Sequence, residues 1–286
     1  MTSLTKTTYQ AFASARAQGN PAAIIVLPKP DSSTEIADGD FPYDLFPPAS
    51  KLQETARSIN LPMTAFALPL DPENDSAKAH YAVRWFNPVN EAPLCGHATL
   101  ALSQHLFSTL PNAPQTLRYL TRLHGVASAS LNQSPFEDAK LVGIEFPELV
   151  DLPSVAKDSK RWRELKGLFE AASGSKWEGN GEPVGVFEQD QYFLLEFSPE
   201  LNLKALEFDA SKLTGSAHRA IIPHVLSNAE TSARLKKHHP DFTGDTLRSL
   251  QQSKEGGELT VEWLRDTKTV RIMGNALRTG EACIEI

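Results

Sequence analysis

Apolar runs alternate along the chain with polar joints rich in proline and glycine. Ala22 to Leu27 is a continuous apolar run after the turn pair Asn20-Pro21, which predicts a buried strand. Pro28 to Ser50 holds five prolines among Asp, Ser and Gly and predicts a loop or insertion. From Lys51 to Asn60, Leu52, Thr55, Ala56 and Ile59 recur at helical spacing, and Asn60-Leu61-Pro62 ends that helix. Met63 to Leu70 and His80 to Phe86 read as strands, the second closed by Asn87-Pro88. Leu94-Cys95-Gly96-His97 opens a helix that continues through Ala98, Leu102 and Leu106.

Further along, Leu117 to Leu131 and Leu141 to Phe146 read as strands of a second half. Ser159 to Ala172 is an amphipathic helix with Trp162, Leu165, Leu168 and Phe169 on one side. Gln191 to Phe197 reads as a strand and Thr214 to Leu226 as a second buried helix after a glycine turn. Glu258 to Leu264 and Thr269 to Leu277 are expected to close the fold as strands. Many strands with few helices between them predict an α+β architecture.

Composition narrows the function classes. The chain has 286 residues, 41% hydrophobic and 22% charged, which suits a globular protein with one large core or two ordinary ones. Net charge is -7, and no Lys/Arg stretch is longer than Lys236-Lys237, so no nucleic-acid partner is expected. The longest apolar run is too short to span a bilayer, and Met1 to Gln10 lacks an apolar signal segment, so no membrane partner is expected either. Two cysteines, Cys95 and Cys283, make no disulfide framework and fit a reduced, cytoplasmic protein.

One internal similarity points to a site. Leu94-Cys95-Gly96-His97-Ala98 and Leu213-Thr214-Gly215-Ser216-Ala217 share Leu-x-Gly-x-Ala, and each precedes a mainly apolar stretch. A glycine followed by small residues leaves backbone N–H groups free at a helix start, where the dipole is positive. Two such ends would grip a carboxylate. Ordinary turn and capping chemistry explains the same pattern, and the repeat alone does not separate the two.

Five ordered motifs, the repeat among them, carry a resemblance. They are Gly19-Asn20-Pro21-Ala22-Ala23; Arg84-Trp85-Phe86-Asn87-Pro88 with Glu91; Leu94-Cys95-Gly96-His97-Ala98-Thr99-Leu100; Thr214-Gly215-Ser216-Ala217-His218 with Pro223; and Gln252-Ser253 with Gly256-Gly257-Glu258-Leu259. In this order they resemble the PhzF-like (phenazine-biosynthesis-like) isomerases, which share the diaminopimelate-epimerase fold. The resemblance implies two pseudo-symmetric halves, 1–118 and 119–286, each a mixed sheet around a central helix, from Ala98 and from Ala217. The last strand is expected to be free to return to the first half. It also implies an isomerase of a small carboxylated metabolite, in secondary metabolism, using neither metal nor organic cofactor. A homodimer is compatible with it.

The sequence departs from that family in three places. Met63 stands where the resemblance expects the glutamate that serves as general acid/base, and a thioether carries no proton at neutral pH. Ser211 replaces an aspartate, with Asp209 two residues earlier. Between Leu195 and Thr214 there is no room for an expected pair of strands, so the second half reads as shortened.

The candidates for chemistry are therefore His97, Cys95 and Asp209, with Asn20, Gly96, Gly215 and Ser216 around a substrate carboxylate. His97 has an ordinary pKa suited to neutral pH, and a cysteine at a helix start can have a lowered one. A small buried cysteine is the competing reading of Cys95. Cys95, His97, His218 and His224 fit no standard zinc spacing. Gly215-Ser216 lacks a full nucleophile elbow. Two readings remain: a proton-transfer enzyme acting on a small carboxylate, or a catalytically silent relative that binds a ligand or a partner.

Overall fold

The polar stretch Ser3–Ala11 is itself a strand, β1, with Thr7, Tyr9 and Ala11 buried at every second position. One face in and one face out holds a strand even where six of its nine residues are polar. The computed structural model describes residues 3–15, 17–30, 41–70, 78–110, 114–135, 138–147, 153–173, 183–189, 192–197, 201, 209, 212, 220–225, 246–251 and 255–286.

After β1 come β2 (Asn20–Val26), α1 (Ala49–Ile59), β3 (Thr64–Pro69), β4 (Lys78–Phe86), β5 (Glu91–Ala92) and α2 (Gly96–Thr109). Next are β6 (Thr116–Thr121), β7 (Val126–Gln133), β8 (Lys140–Pro147), α3 (Lys160–Ser173), β9 (Gly185–Gln189), β10 (Tyr192–Phe197) and β11 (Ala220–Val225). The last four are β12 (Thr246–Gln251), β13 (Gly257–Leu264), β14 (Thr269–Gly274) and β15 (Ala276–Glu285). The fold is α+β and dominated by mixed sheet, as the strand-rich pattern predicts.

The chain divides into two compact units, Met1–Glu148 with Thr243–Ile286, and Leu149–Phe242. In the first, twelve strands form one sheet in the order β12-β13-β14-β8-β7-β6-β4-β3-β2-β1-β15, with β5 beside β4. Helix α2 touches β1, β2, β3, β7, β8 and β15, strands well separated in that order. One helix reaches all of them only because the sheet curls around it. Residues Ala98 to Ser103 of α2 are fully buried, as expected of a helix that is apolar nearly all round.

The opposite face of the sheet is covered too. Ala65, Ala67, Tyr81, Val83 and Trp85 belong to the core around α2, whereas Phe66, Leu68, Ala82 and Phe86 pack with Leu52 and Ala56 of α1. The period of two along β3 and β4 sorts these side chains between the two cores. Asn60 ends α1 in the left-handed conformation, at φ 54°, with its N–H donating to Ala56 O. In the second unit, Trp162, Leu165 and Phe169 of α3 form an apolar cluster with Val186, Leu195 and Phe197 of β9 and β10.

Three expected elements differ. Thr269 to Leu277 is not one strand: β14 ends at Gly274 and β15 begins at Ala276. Leu117 to Leu131 is not one strand but the hairpin β6–β7. Gly125, at φ 64°, turns the chain, and Thr121 Oγ1 both accepts from His124 N and donates to Gly125 O, each at 2.9 Å. The helix expected over Thr214 to Leu226 is a strand over Ala220–Val225, paired in parallel with β10. An apolar run with β-branched Ile221, Ile222 and Val225 suits a sheet, and periodicity alone does not separate it from a buried helix. Residues 213–219, including Ala217, and most of the stretch from 198 to 219 lie outside the described residues.

Candidate functional site

Strand β4 lies between β3 and β6 in the middle of the sheet, and its end leads through β5 to α2. Arg84, 5% exposed, donates from Nε and Nη2 to the two carboxylate oxygens of Glu91, both at 2.9 Å. The guanidinium also lies over the rings of Tyr43, Phe46 and Phe86, at 5.8, 5.6 and 5.1 Å from their centroids. A paired, stacked Arg of this kind fixes the turn that leads through Glu91–Ala92 to Cys95. Glu91 is thus a structural partner here.

Cys95 is the N-cap of α2, and Gly96 and His97 are its first two residues. Cys95 Sγ lies 3.2 Å from His97 Nδ1. Burial pushes the thiol up to about 12; the amides of Ala98 and His97 face the sulfur and offset part of this, although Cys95 makes no side-chain capping bond. Burial likewise draws His97 down to about 4, against a hydrogen bond from its ring to the Pro21 carbonyl. Both shifts favour a neutral thiol beside a neutral imidazole. This corrects the expectation of a helix-start thiol with lowered pKa and of a histidine titrating near neutrality. Desolvation in the apolar core outweighs the dipole of the helix start, which is worth about 0.3–1 kcal/mol.

The Pro21 contact ties His97 to the Asn20-Pro21 segment. Asn20 is engaged further: its Nδ2 donates to Gln251 Oε1 at 2.9 Å and its Oδ1 accepts from Gln251 Nε2 at 3.1 Å. A Cβ on Gly257 would stand 2.9 Å from Gln251 Oε1 and 3.2 Å from Asn20 Nδ2, so that glycine makes room for the amide pair. Gly96 differs: a Cβ there would meet nothing nearer than Ile144 Cδ1 at 4.0 Å. Packing within the fold does not demand a glycine at this helix start.

Met63 is 9% exposed and belongs to the same apolar cluster as Cys95, Trp85 and Ala98. The position expected to carry a carboxylate is therefore an apolar wall of the core. Of the candidates named from the sequence, Asn20, Cys95, Gly96 and His97 lie in the first unit, linked through Pro21. Asp209 is exposed and belongs to the second unit, where its N–H donates to Ala172 O. Ser211, Thr214, Gly215 and Ser216 lie outside the described residues. Gln251 is the partner that sequence reading missed; its one signal was its place directly before Gln252-Ser253.

A separate cavity of about 50 Å³ in the first unit is lined by Ser14, Ser134, Arg248, Glu258 and Met273, among others, and reaches neither Cys95 nor His97. Among the described residues, no group of three His, Cys, Asp or Glu side chains is arranged to hold a metal ion. No helix among them is long and apolar enough to cross a membrane.

Comparison with known proteins agrees with this layout. A family model described as phenazine biosynthesis-like protein matches residues 9–240. An uncharacterized isomerase of Halalkalibacterium halodurans is 34% identical over 286 aligned residues, covering 93% of each chain. The human phenazine biosynthesis-like domain-containing protein is 32% identical over 166 residues, 58% of this chain but only 48%, about half, of the human one. A crystal structure of a PhzF-family phenazine biosynthesis protein from Enterococcus faecalis superposes with a TM-score of 0.64 at 21% identity, over 100% of both chains, and shows the shared fold. With its motifs, its sheet curled around α2 and these matches, the chain belongs to the phenazine biosynthesis-like family.

Proposed function

We propose that this protein is an isomerase-type enzyme of a small carboxylated metabolite, moving a proton through the Cys95–His97 pair without metal or organic cofactor. The observation that carries the reading is the 3.2 Å contact between Cys95 Sγ and His97 Nδ1 at the start of α2. Handing the thiol proton to the imidazole alone would leave a thiolate–imidazolium pair in the core, so the pair stays neutral only when the substrate gives one proton to the ring as it takes another from the thiol, and return of the ring proton to the sulfur across the 3.2 Å contact restores both groups. The substrate carboxylate is assigned to the start of α2 at Gly96 and His97, sharing the His97 amide with the Cys95 sulfur, and Asn20, Gly215 and Ser216 are further candidate ligands. Gly96 supports this, because nothing in the surrounding fold requires a glycine there. Asp209 is a further candidate acid from the second unit. The reading extends to a cytoplasmic homodimer in secondary metabolism.

A second reading is favoured by Met63. Its thioether, buried beside Cys95, offers no proton, and loss of a general acid/base group costs about a hundredfold to ten-thousandfold in rate. On that reading the protein binds the carboxylate or a partner and is catalytically silent. Exchange of carbon-bound protons in deuterated water, followed by NMR over a panel of small amino and aromatic carboxylates, separates the two. Slow exchange that disappears in Cys95→Ala and in His97→Ala supports the enzyme. Binding without exchange supports the silent relative.

A further inference from the structure

The core around α2 leaves one polar group unmet. Trp85 is 1% exposed, and its indole Nε1–H has no hydrogen-bond partner among the described residues. An indole nitrogen can only donate, and a buried donor left without an acceptor costs about 1–3 kcal/mol. Its neighbours on α2 and the facing strands are treated differently. Thr99 Oγ1 donates to Cys95 O at 2.7 Å, Ser103 Oγ donates to Thr99 O at 2.7 Å, and the hydroxyls of Ser103 and Tyr119 meet at 2.8 Å. Thr64 Oγ1 and Gln10 Oε1 also lack a bond, but each stands one position out of step with the residues that face α2.

Register shows where the indole lies. Trp85 is directly opposite Ala65 of β3 and Ala92 of β5, and residues so paired project from one face of a sheet. That face is the one α2 covers. Met63 stands on it two residues from Ala65, within diagonal reach of a large ring. Three residues after Ala92 the chain arrives at Cys95. Trp85, Met63 and Cys95 accordingly fall in one apolar cluster, and the residues paired with Trp85 on its two sides, Ala65 and Ala92, carry only a methyl group each. A carboxylate side chain at position 63 would have offered the indole an acceptor; the thioether is a weak one.

We infer that Trp85 is a ligand-binding residue, its indole N–H donating to an oxygen of the carboxylate held at the start of α2 beside Cys95 and Met63. The inference rests on the carboxylate reading above and deepens it. It adds a directed donor on the sheet side of a ligand gripped on the helix side by backbone N–H groups. A neutral donor suits this place, because it brings an anion into an apolar wall without adding a second buried charge.

The test uses the full chain labelled with ¹⁵N at its tryptophan indoles and at its backbone, with benzoate as probe. The protein has four tryptophans, and Trp85→Phe identifies the Trp85 indole signal by its loss. Benzoate is expected to move that indole proton downfield together with the Gly96 and His97 amides, and Trp85→Phe is expected to bind benzoate about tenfold more weakly. The three other indole signals, unmoved in Trp85→Phe, certify its fold. If that variant does not fold, Trp162→Phe, Trp177→Phe and Trp263→Phe assign the other three signals, and the wild-type shift of the remaining indole decides. Amides of Gly96 and His97 that respond while the Trp85 indole does not, or equal affinity in Trp85→Phe, would overturn the role of Trp85 and leave the carboxylate reading standing. No response at either place would overturn both.

Discussion

Acid should unfasten this protein through His97. Burial holds its folded pKa at about 4, against 6.5 for the ordinary group. Between those values the unfolded chain binds a proton that the folded protein refuses, so stability falls as the pH drops through the window and is flat above it. At about 1.36 kcal/mol per pKa unit, the loss attributable to this one ring approaches ~3 kcal/mol by pH 4. For a body of this size that is roughly 6–12 °C in melting temperature. The measurement is thermal unfolding of the wild type and of His97→Gln at closely spaced pH values from 7.5 to 4. Carboxylate titrations act on both proteins alike, so the difference between the two curves isolates the imidazole. It should be constant above pH 6.5 and shift steadily in favour of the variant below it. Curves that stay parallel throughout would show that His97 takes up its proton equally well when folded, and the neutral thiol–imidazole pair would be refuted with it.

A thiol held at about 12 is roughly one part in ten thousand thiolate at pH 8, so iodoacetamide should label exposed Cys283 readily and Cys95 only after denaturation, as read by mass spectrometry. Met63→Glu should leave proton exchange in deuterated water far below that of an ordinary isomerase, because the new carboxyl would sit protonated in an apolar wall; full activity in this variant would refute the account of Met63. Gly19→Ala should destabilise by at least ~2 kcal/mol in urea unfolding, since φ is 88° and the new Cβ would lie 2.6 Å from Ala11 O. Arg84→Ala should cost about 2 kcal/mol by the same assay, through two lost charge-assisted hydrogen bonds and three rings left without their cation, Glu91 keeping Arg122 Nε at 3.5 Å; a loss under ~1 kcal/mol would count against it.

The elements that were legible in the sequence are those whose apolar period and punctuation agree. Ala22 to Leu27 after Asn20-Pro21, the helix stopped at Asn60, and the helix opened by Cys95-Gly96-His97 all combine a run with a stop or a start. β1 was hidden because six of its nine residues are polar and its partners, in β2 and β15, lie elsewhere in the chain. The strand over Ala220–Val225 was hidden by the opposite fault, an apolar run without period that followed a plausible helix start. At the site, motif order located Asn20, Cys95, Gly96 and His97 but misjudged their electrostatics. Local sequence shows a helix dipole; it does not show how dry the surrounding core is. Nor does it show that Asn20 spends its amide on Gln251, 231 positions away.

Strand β1 lies antiparallel to β15 with Ser3 opposite Glu285, and Phe12 N donates to Asn275 O. During synthesis, at ~5–20 residues per second, the edge of β1 that β15 will cover waits on the order of tens of seconds for its partner. Over that interval it is an open template for any other extended chain. The second unit, Leu149–Phe242, leaves the ribosome whole before β12 to β15 do. The order in which the units can close is thus the reverse of the order in which they begin. A newly made chain carries its thiol–imidazole site on an unfinished sheet until its last strand arrives, and pulse-labelled hydrogen exchange on stalled nascent chains would find β1 unprotected while β9 and β10 are already closed.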